Sequence, residues 1–270
     1  MLFLAQVGDS RAYVLRDEKL VQVTRDSRAN VIETVDAVKS VGAVFDTARN
    51  LSVTVSSPAA VDPWLATNPK CPEAEHEASA DVVLVTHGHG DHISDAVAVA
   101  QRGDATTIAQ YEIAGWLGEQ GAPTTIGMNA GGTVEVRGLR VTMTHAFHSS
   151  SLPDGSPAGD PVGYVIELES GQRIYIAGDT GVFGDMALIR ELYAPVLAIL
   201  PIGDLYTMGP FQAAHATRLL GVQHVLGSHW GTFDALTGTP EQLKAELAAL
   251  GLGDVTVHEL APGEIGRAHV

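Results

Sequence analysis

Val82-Val83-Leu84-Val85-Thr86-His87-Gly88-His89-Gly90-Asp91-His92 runs four consecutive apolar residues straight into three histidines and an aspartate. The apolar run is what a strand buried on both faces requires, as in a sheet covered by helices. Three imidazoles and a carboxylate this close together are costly to hold unless something positive binds them. At an extended strand end, His87 and His89 stand two apart and project to the same side. Asp91 and His92 follow a glycine, where the backbone can turn into a helix, so they aim at a neighbouring point. Gly88 and Gly90 permit the tight path and a close approach to an ion. Imidazole nitrogen with carboxylate oxygen suits zinc, and also manganese or iron.

Outward from this run, strand and helix patterns alternate. Helical periodicity covers residues 93–101, 111–119, 185–193 and 211–220. Strand patterns cover 82–85, 141–143, 162–168, 173–177, 196–200, 224–227 and 255–260. Glu169-Ser170-Gly171-Gln172 reads as the turn of a hairpin. The last helix is well punctuated: Thr239 can cap it, Pro240 suits its first turn, and Gly251 follows its end. Leu243, Leu247 and Leu250 give that helix one apolar stripe. Such alternation, with one antiparallel hairpin, implies a layered α/β fold. In the first sixty residues, two strands over 6–15 and 20–24 are expected around the turn at 16–19. A short helix carrying Val31, Ile32, Val35 and Val38 follows, then a half-buried strand with Leu51, Val53 and Val55.

Four ligands do not complete two metal sites, and three strand-end loops offer more. His148 follows the strand at 141–143, Asp179 sits in Gly178-Asp179-Thr180, and His229 sits in Ser228-His229-Trp230-Gly231-Thr232-Phe233. Ligands at successive strand ends would converge on one edge of the sheets, where α/β folds place their sites.

The run from His87 to His92 matches the HxHxDH signature of the metallo-β-lactamase superfamily. Together with Asn68-Pro69-Lys70, Ala146-Phe147-His148-Ser149-Ser150, Ala177-Gly178-Asp179-Thr180-Gly181, Leu200-Pro201-Ile202-Gly203-Asp204 and the segments around Tyr206 and His229, it resembles one branch of that superfamily. That branch holds metal-dependent hydrolases similar to the ascorbate-phosphate lactonases, and the likeness covers residues 61–265. It implies a four-layered αβ/βα sandwich with two divalent transition-metal ions, zinc first and manganese or iron as alternatives. The first ion would take His87, His89 and His148; the second would take Asp91, His92 and His229; Asp179 would bridge both. Asp62, in Val61-Asp62-Pro63, matches an aspartate that buttresses the ligands. Two dications sharing a water lower its pKa toward neutrality, so a hydroxide can attack an ester-type bond in a phosphodiester, phosphotriester, other phosphoester or lactone. Asp91 and Asp179 are the expected catalytic carboxylates. His145, Asp204 and Tyr206 are candidate substrate contacts. The alternatives are a metal-binding or regulatory protein without efficient turnover, and β-lactam cleavage as a minor activity.

The remaining features bound these expectations. The chain has 270 residues, 45% hydrophobic and 18% charged, and is read as one domain. A net charge of −16 argues against nucleic acid or an anionic membrane as partner. No apolar run spans a bilayer and no secretion signal is evident, so a cytoplasmic location is expected. Cys71 is the single cysteine and reads as a bystander. Ser149, Ser150 and Ser151 read as loop residues rather than nucleophiles. His76 reads as a solvated surface residue, His215, His224, His258 and His269 as structural or incidental, and Trp230 as packing behind His229. Residues 1–60 depart from the family. Val7 to Asp26 instead resembles a hairpin of the metal-dependent Ser/Thr protein phosphatases, whose acidic metal-binding motifs are absent here. We expect this segment to cover the sheet edge left by the family's missing opening, within one subunit or across a homodimer.

Overall fold

The computed structural model describes residues 2–8, 10–16, 19–21 and 59–260. The helix expected near residues 31–38, the strand near 51–55 and the tail at 266–270 lie outside the described residues. β1 (Leu2–Gly8), β2 (Ser10–Arg16) and β3 (Lys19–Val21) form a small antiparallel sheet. The single strand expected over residues 6–15 is therefore divided: Gly8 pairs with Ser10, so the chain reverses in the middle of that run.

Two sheets make the body. β4 (Ala59–Val61), β5 (Val82–Val85), β6 (Thr106–Gln110) and β7 (Thr124–Met128) lie in that order, all parallel. The backbone of β1 runs beside β4 at the edge of this sheet. A seven-stranded sheet runs β14-β13-β12-β11-β10-β9-β8, from β14 (Thr256–His258) through β13 (His224–Ser228), β12 (Leu197–Pro201), β11 (Arg173–Ile176), β10 (Val162–Glu167) and β9 (Leu139–His145) to β8 (Thr133–Val136). Its first four strands are parallel, and the rest form an antiparallel meander. Helices α1 (Gly90–Ile93), α2 (Ala96–Gly103) and α3 (Tyr111–Glu119) accompany the small sheet. α4 (Met186–Tyr193), α5 (Pro210–Leu220) and α6 (Pro240–Ala249) accompany the large one.

Burial separates the layers. Val82 and Leu84 of β5 join Ile108, Val141, Tyr164, Ile176 and Ile199 in the core between the sheets. Their neighbours Val83 and Val85 pack with Ile93, Val99, Ile113 and Leu117 of the helices outside. Tyr175, Ala198 and Val225 of the large sheet pack with Ile189, Leu220, Leu243 and Leu247 of its own helices. This is the expected four-layered αβ/βα sandwich. Two hydrogen bonds pin the sheets together beside the histidine run: Val162 N donates to Thr86 O (2.9 Å), and the buried Tyr164 hydroxyl to Val85 O (2.7 Å).

Two local readings change. The helix expected over 93–101 is two helices, because the Asp95 carboxylate accepts from Leu65 N (2.6 Å) while Asp95 N donates to Pro63 O (3.0 Å). The chain is thereby tied to the loop after β4, and Asp95 leaves helical geometry at φ −105° and ψ 4°. β6, β7 and β8 carry no clear sequence signal, since threonines and a glycine interrupt their apolar pattern; Thr107 is nonetheless fully buried in β6. α6 starts at the expected Thr239 cap, and the structure adds a capping box, with Gln242 N donating to Thr239 Oγ1 (3.2 Å) and Thr239 N to Gln242 Oε1 (2.9 Å). No helix among the described residues is long and apolar enough to cross a membrane.

Candidate metal centre

The loops leaving β4, β5, β9, β11 and β13 meet along one edge of the sandwich. Asp62 follows β4 in the left-handed region at φ 48° and is fully buried. Its carboxylate accepts from Thr86 N (2.6 Å), from the Thr86 hydroxyl (2.6 Å) and from His92 Nδ1 (3.0 Å). Thr86 gives its one hydroxyl proton to Asp62, so its oxygen can accept from His87 Nδ1, 3.1 Å away. Asp62 therefore orients two imidazoles, one directly and one through Thr86. In each ring Nδ1 holds the proton and Nε2 presents its lone pair.

Seven side chains gather around these. His87, His89 and His148 form one group able to hold a metal ion, Asp91, His92 and His229 another, and His87, His92 and Asp179 a third between them. Asp179 Oδ2 lies 3.1 Å from His229 Nε2, 3.3 Å from His92 Nε2, 3.7 Å from His148 Nε2 and 4.0 Å from His87 Nε2. Its other oxygen, Oδ1, is buried without a hydrogen-bond partner, as is His92 Nε2. Buried orphans of this kind are rare in folded proteins. Unprotonated nitrogens converging on a carboxylate are what a divalent transition metal requires, so the donor set fits such ions.

Electrostatics favour neutral rings at His87, His89 and His148 and a charged ring at His92 while no cation shares its carboxylates. Burial, reinforced by the neighbouring His92, holds the His87 imidazole well below its ordinary pKa. Burial likewise lowers His89 and His148. Burial opposes charge on His92 too, but the carboxylates of Asp179, Asp91 and Asp62 outweigh it and lift this ring well above the usual range. For Asp179 burial is overcome by His229 and His92, leaving it well below the usual carboxylate range. Asp91 is lowered in the same way, chiefly by His92 acting against burial. Asp62 is raised by burial in spite of His92 and Thr86.

The other candidates separate clearly. His145 ends β9 outside the three groups, its ring 4.6 Å from that of Phe183 and Nε2 3.8 Å from Asp185 Oδ2. Asp204 and Leu205 both adopt left-handed backbone, at φ 69° and 56°, in a turn that exposes Tyr206. Trp230 packs against the core between the large sheet and its helices and donates to Gly227 O (3.2 Å). His224 and His258 pair with each other across β13 and β14 (3.2 Å), and His215 lies 2.9 Å from Arg218 on α5. The Cys71 thiol is pushed up to about 12 by burial and by Glu75 and Asp95, which disfavours the reactive thiolate. His76 is half-buried, with Nε2 enclosed, so the solvated position expected for it is corrected.

Sequence reading had given no role to Thr86, Ser150 and Thr180. Ser150 Oγ accepts from Gly88 N (3.2 Å), where a Cβ in place of the glycine hydrogen would meet Ala158 Cβ at 2.7 Å. Thr180, fully buried, ties the remaining loops: its hydroxyl accepts from Phe147 N (2.9 Å) and its carbonyl from Met208 N (3.1 Å). Thr86 and Thr180 each stand next to a candidate ligand, a position that was the only available signal.

With this geometry in hand, comparison with known proteins sets the class. The family model described as Beta-lactamase superfamily domain matches residues 29–230. The chain is 51% identical over 209 residues to a UPF0173 metal-dependent hydrolase of Rubrobacter xylanophilus, covering 76% of this chain and 86% of that one. It is 48% identical over 207 residues to another from Methanopyrus kandleri, covering 76% and 89%. Among solved structures, Igni18, a metallo hydrolase from the archaeon Ignicoccus hospitalis, superposes with a TM-score of 0.68 at 37% identity, covering 78% of this chain and 91% of that one. The chain belongs to the UPF0173 metal-dependent hydrolases of the metallo-β-lactamase superfamily.

Proposed function

We propose that the chain is a dinuclear hydrolase of ester-type bonds, in phosphodiesters, phosphotriesters, other phosphoesters or lactones. His87, His89 and His148 would hold one ion and Asp91, His92 and His229 the other, with Asp179 lying between the two sets and zinc the first choice. One observation carries this reading: a single oxygen of Asp179 faces four imidazole nitrogens at 3.1–4.0 Å. One tetrahedral ion cannot use so many donors. When bound, the ions supply Lewis acidity toward the ester oxygen and acidify a shared water.

The chain's own groups do the rest. Asp62 and Thr86 fix the rings of His87 and His92, so the site is preorganised. Asp91, 30% exposed and kept ionised by His92 against burial, is the carboxylate with access to solvent, able to take a proton from the attacking water and pass it outward. Asp179 is buried and keeps its charge as the central anion. Ser149 Oγ lies 3.5 Å from His89 Nε2, an arrangement that superficially resembles a nucleophile with its base. However, His89 turns Nδ1 toward His87 Nε2, 2.9 Å away. With Nδ1 given to an ion, Nε2 carries the proton and cannot accept another from Ser149.

Elemental analysis of zinc-reconstituted protein should therefore find two ions per chain. Turnover of a panel of chromogenic phosphoesters and lactones should depend on them. Ser149→Ala should keep its rate within about tenfold, about 1.4 kcal/mol of barrier. At most one bound ion, or an inactive Ser149→Ala protein with both ions present, would overturn the proposal. Two ions without turnover of any ester would favour the regulatory alternative.

A further inference from the structure

Two properties of the ligand-bearing loops concern the part of the substrate that does not react. The first is charge. Segments 86–92, 146–161, 178–185, 202–209 and 228–239 contain no lysine or arginine, while Asp154, Asp160, Asp185, Asp204 and Asp234 are among their residues. Elsewhere in the described residues Arg102 pairs with Glu77, Arg140 and Arg173 with Glu167, and Lys244 with Glu259, while the exposed Lys70 is the one cation on the loop that follows Asp62. Recognition of a second anionic group normally uses a guanidinium or ammonium, and the chain's net charge of −16 works against it as well.

The second property is exposed apolar surface on those same loops. Phe147, immediately before His148, is 62% exposed; Leu205 and Tyr206 are 63% and 59% exposed. The 204–208 turn is held against the centre from two sides. Met208 N donates to the carbonyl of Thr180, the neighbour of Asp179, and a Cβ on Gly203 would collide with the carbonyl oxygen of His229. Leu205 is kept in left-handed backbone, a conformation unfavourable for a residue other than glycine, and its side chain still faces solvent. On the far side Phe233, 47% exposed, packs on Trp64 at 6.2 Å, joining the loop of His229 to the loop of Asp62.

We infer that Phe147, Leu205, Tyr206 and Phe233 form the surface that receives the non-reacting part of the substrate, and that this part is uncharged and apolar. The inference rests on the ester-hydrolase reading and narrows it. Preferred substrates carry an aliphatic or aromatic substituent, and a second anionic group is discriminated against.

The test uses zinc-reconstituted full-length protein and three esters with the same scissile bond and leaving group: 4-nitrophenyl acetate, 4-nitrophenyl hexanoate and the mono-4-nitrophenyl ester of adipic acid. kcat/KM should rise about tenfold or more from acetate to hexanoate, since part of each added methylene leaves water. The adipate half-ester, equal in length but ending in a carboxylate, should fall back to the acetate level or below. Phe147→Ala and Tyr206→Ala should flatten the preference for hexanoate through KM, with metal content unchanged. Equal or faster turnover of the adipate half-ester overturns the inference, as does a chain-length preference untouched in both variants. Metal-dependent turnover confined to anionic phosphodiesters also overturns it while leaving the ester reading intact. Metal-dependent turnover of no ester at all overturns the reading beneath it.

Discussion

The two sheets furnish the centre in different ways. The small parallel sheet contributes Asp62, His87, His89, Asp91 and His92 from the ends of two adjacent strands, β4 and β5, with Asp62 hydrogen-bonded to Thr86 and His92. The large sheet contributes His148, Asp179 and His229 from three loops, each holding one group and each fixed by the fold around it. One side is a motif local to one sheet, a short run braced by Asp62 from the adjacent strand, and the other is assembled from three separate loops. The difference teaches that geometry on the first side is set by neighbouring residues, whereas on the second it is set by packing across the seam between sheets.

Asp179→Asn breaks the comparison most severely, because Asp179 is where the two sides meet. Loss of the central charge should cost both ions and reduce kcat/KM by about a thousandfold or more, about 4 kcal/mol. Elemental analysis and turnover, with near-ultraviolet circular dichroism as a check on the fold, would decide. Retention of both ions at full affinity would show that each side binds independently.

Asp62→Asn acts within the local motif. Its amide nitrogen would face a donor where the carboxylate now accepts three hydrogen bonds, so His87 and His92 lose their orientation. Metal affinity should fall about 10–100-fold, measured by competition with a chromophoric chelator. An unchanged affinity would mean that the ions, rather than Asp62, orient these rings. The smallest effect belongs to the seam. Tyr164→Phe removes the bond to Val85 O and should lower unfolding stability by about 1 kcal/mol in a urea titration, with metal stoichiometry intact. Metal loss in this variant would show that the local motif also leans on the opposite sheet.

Legibility followed the same division. Residues 82–92 could be read directly, because a continuous apolar run and a histidine cluster are both short-range signals. His148, Asp179 and His229 were visible as strand-end residues, but their grouping around one point depends on strand order, which no local pattern encodes. β6, β7 and β8 were missed because a buried Thr107 and the half-exposed alternation of β8 do not stand out as strands. The roles of Thr86 and Thr180 were hidden for a related reason: a hydroxyl acquires its function from partners that lie far off in the chain, Asp62 for one and Phe147 for the other.

The bonds from Val162 to Thr86 and from Tyr164 to Val85 mark where one sheet rests on the other, beside ligands drawn from both. An ion held by the proposed ligand set would be gripped from both sides, and so would bind the closed chain and not the opened one. By mass action it then adds to the free energy of closure, about 2.7 kcal/mol when free ion stands at a hundred times its dissociation constant. The persistence of the folded chain thereby becomes a property of the surrounding medium as much as of the polypeptide. Where that ion is scarce, the first consequence is a shorter life for the molecule itself.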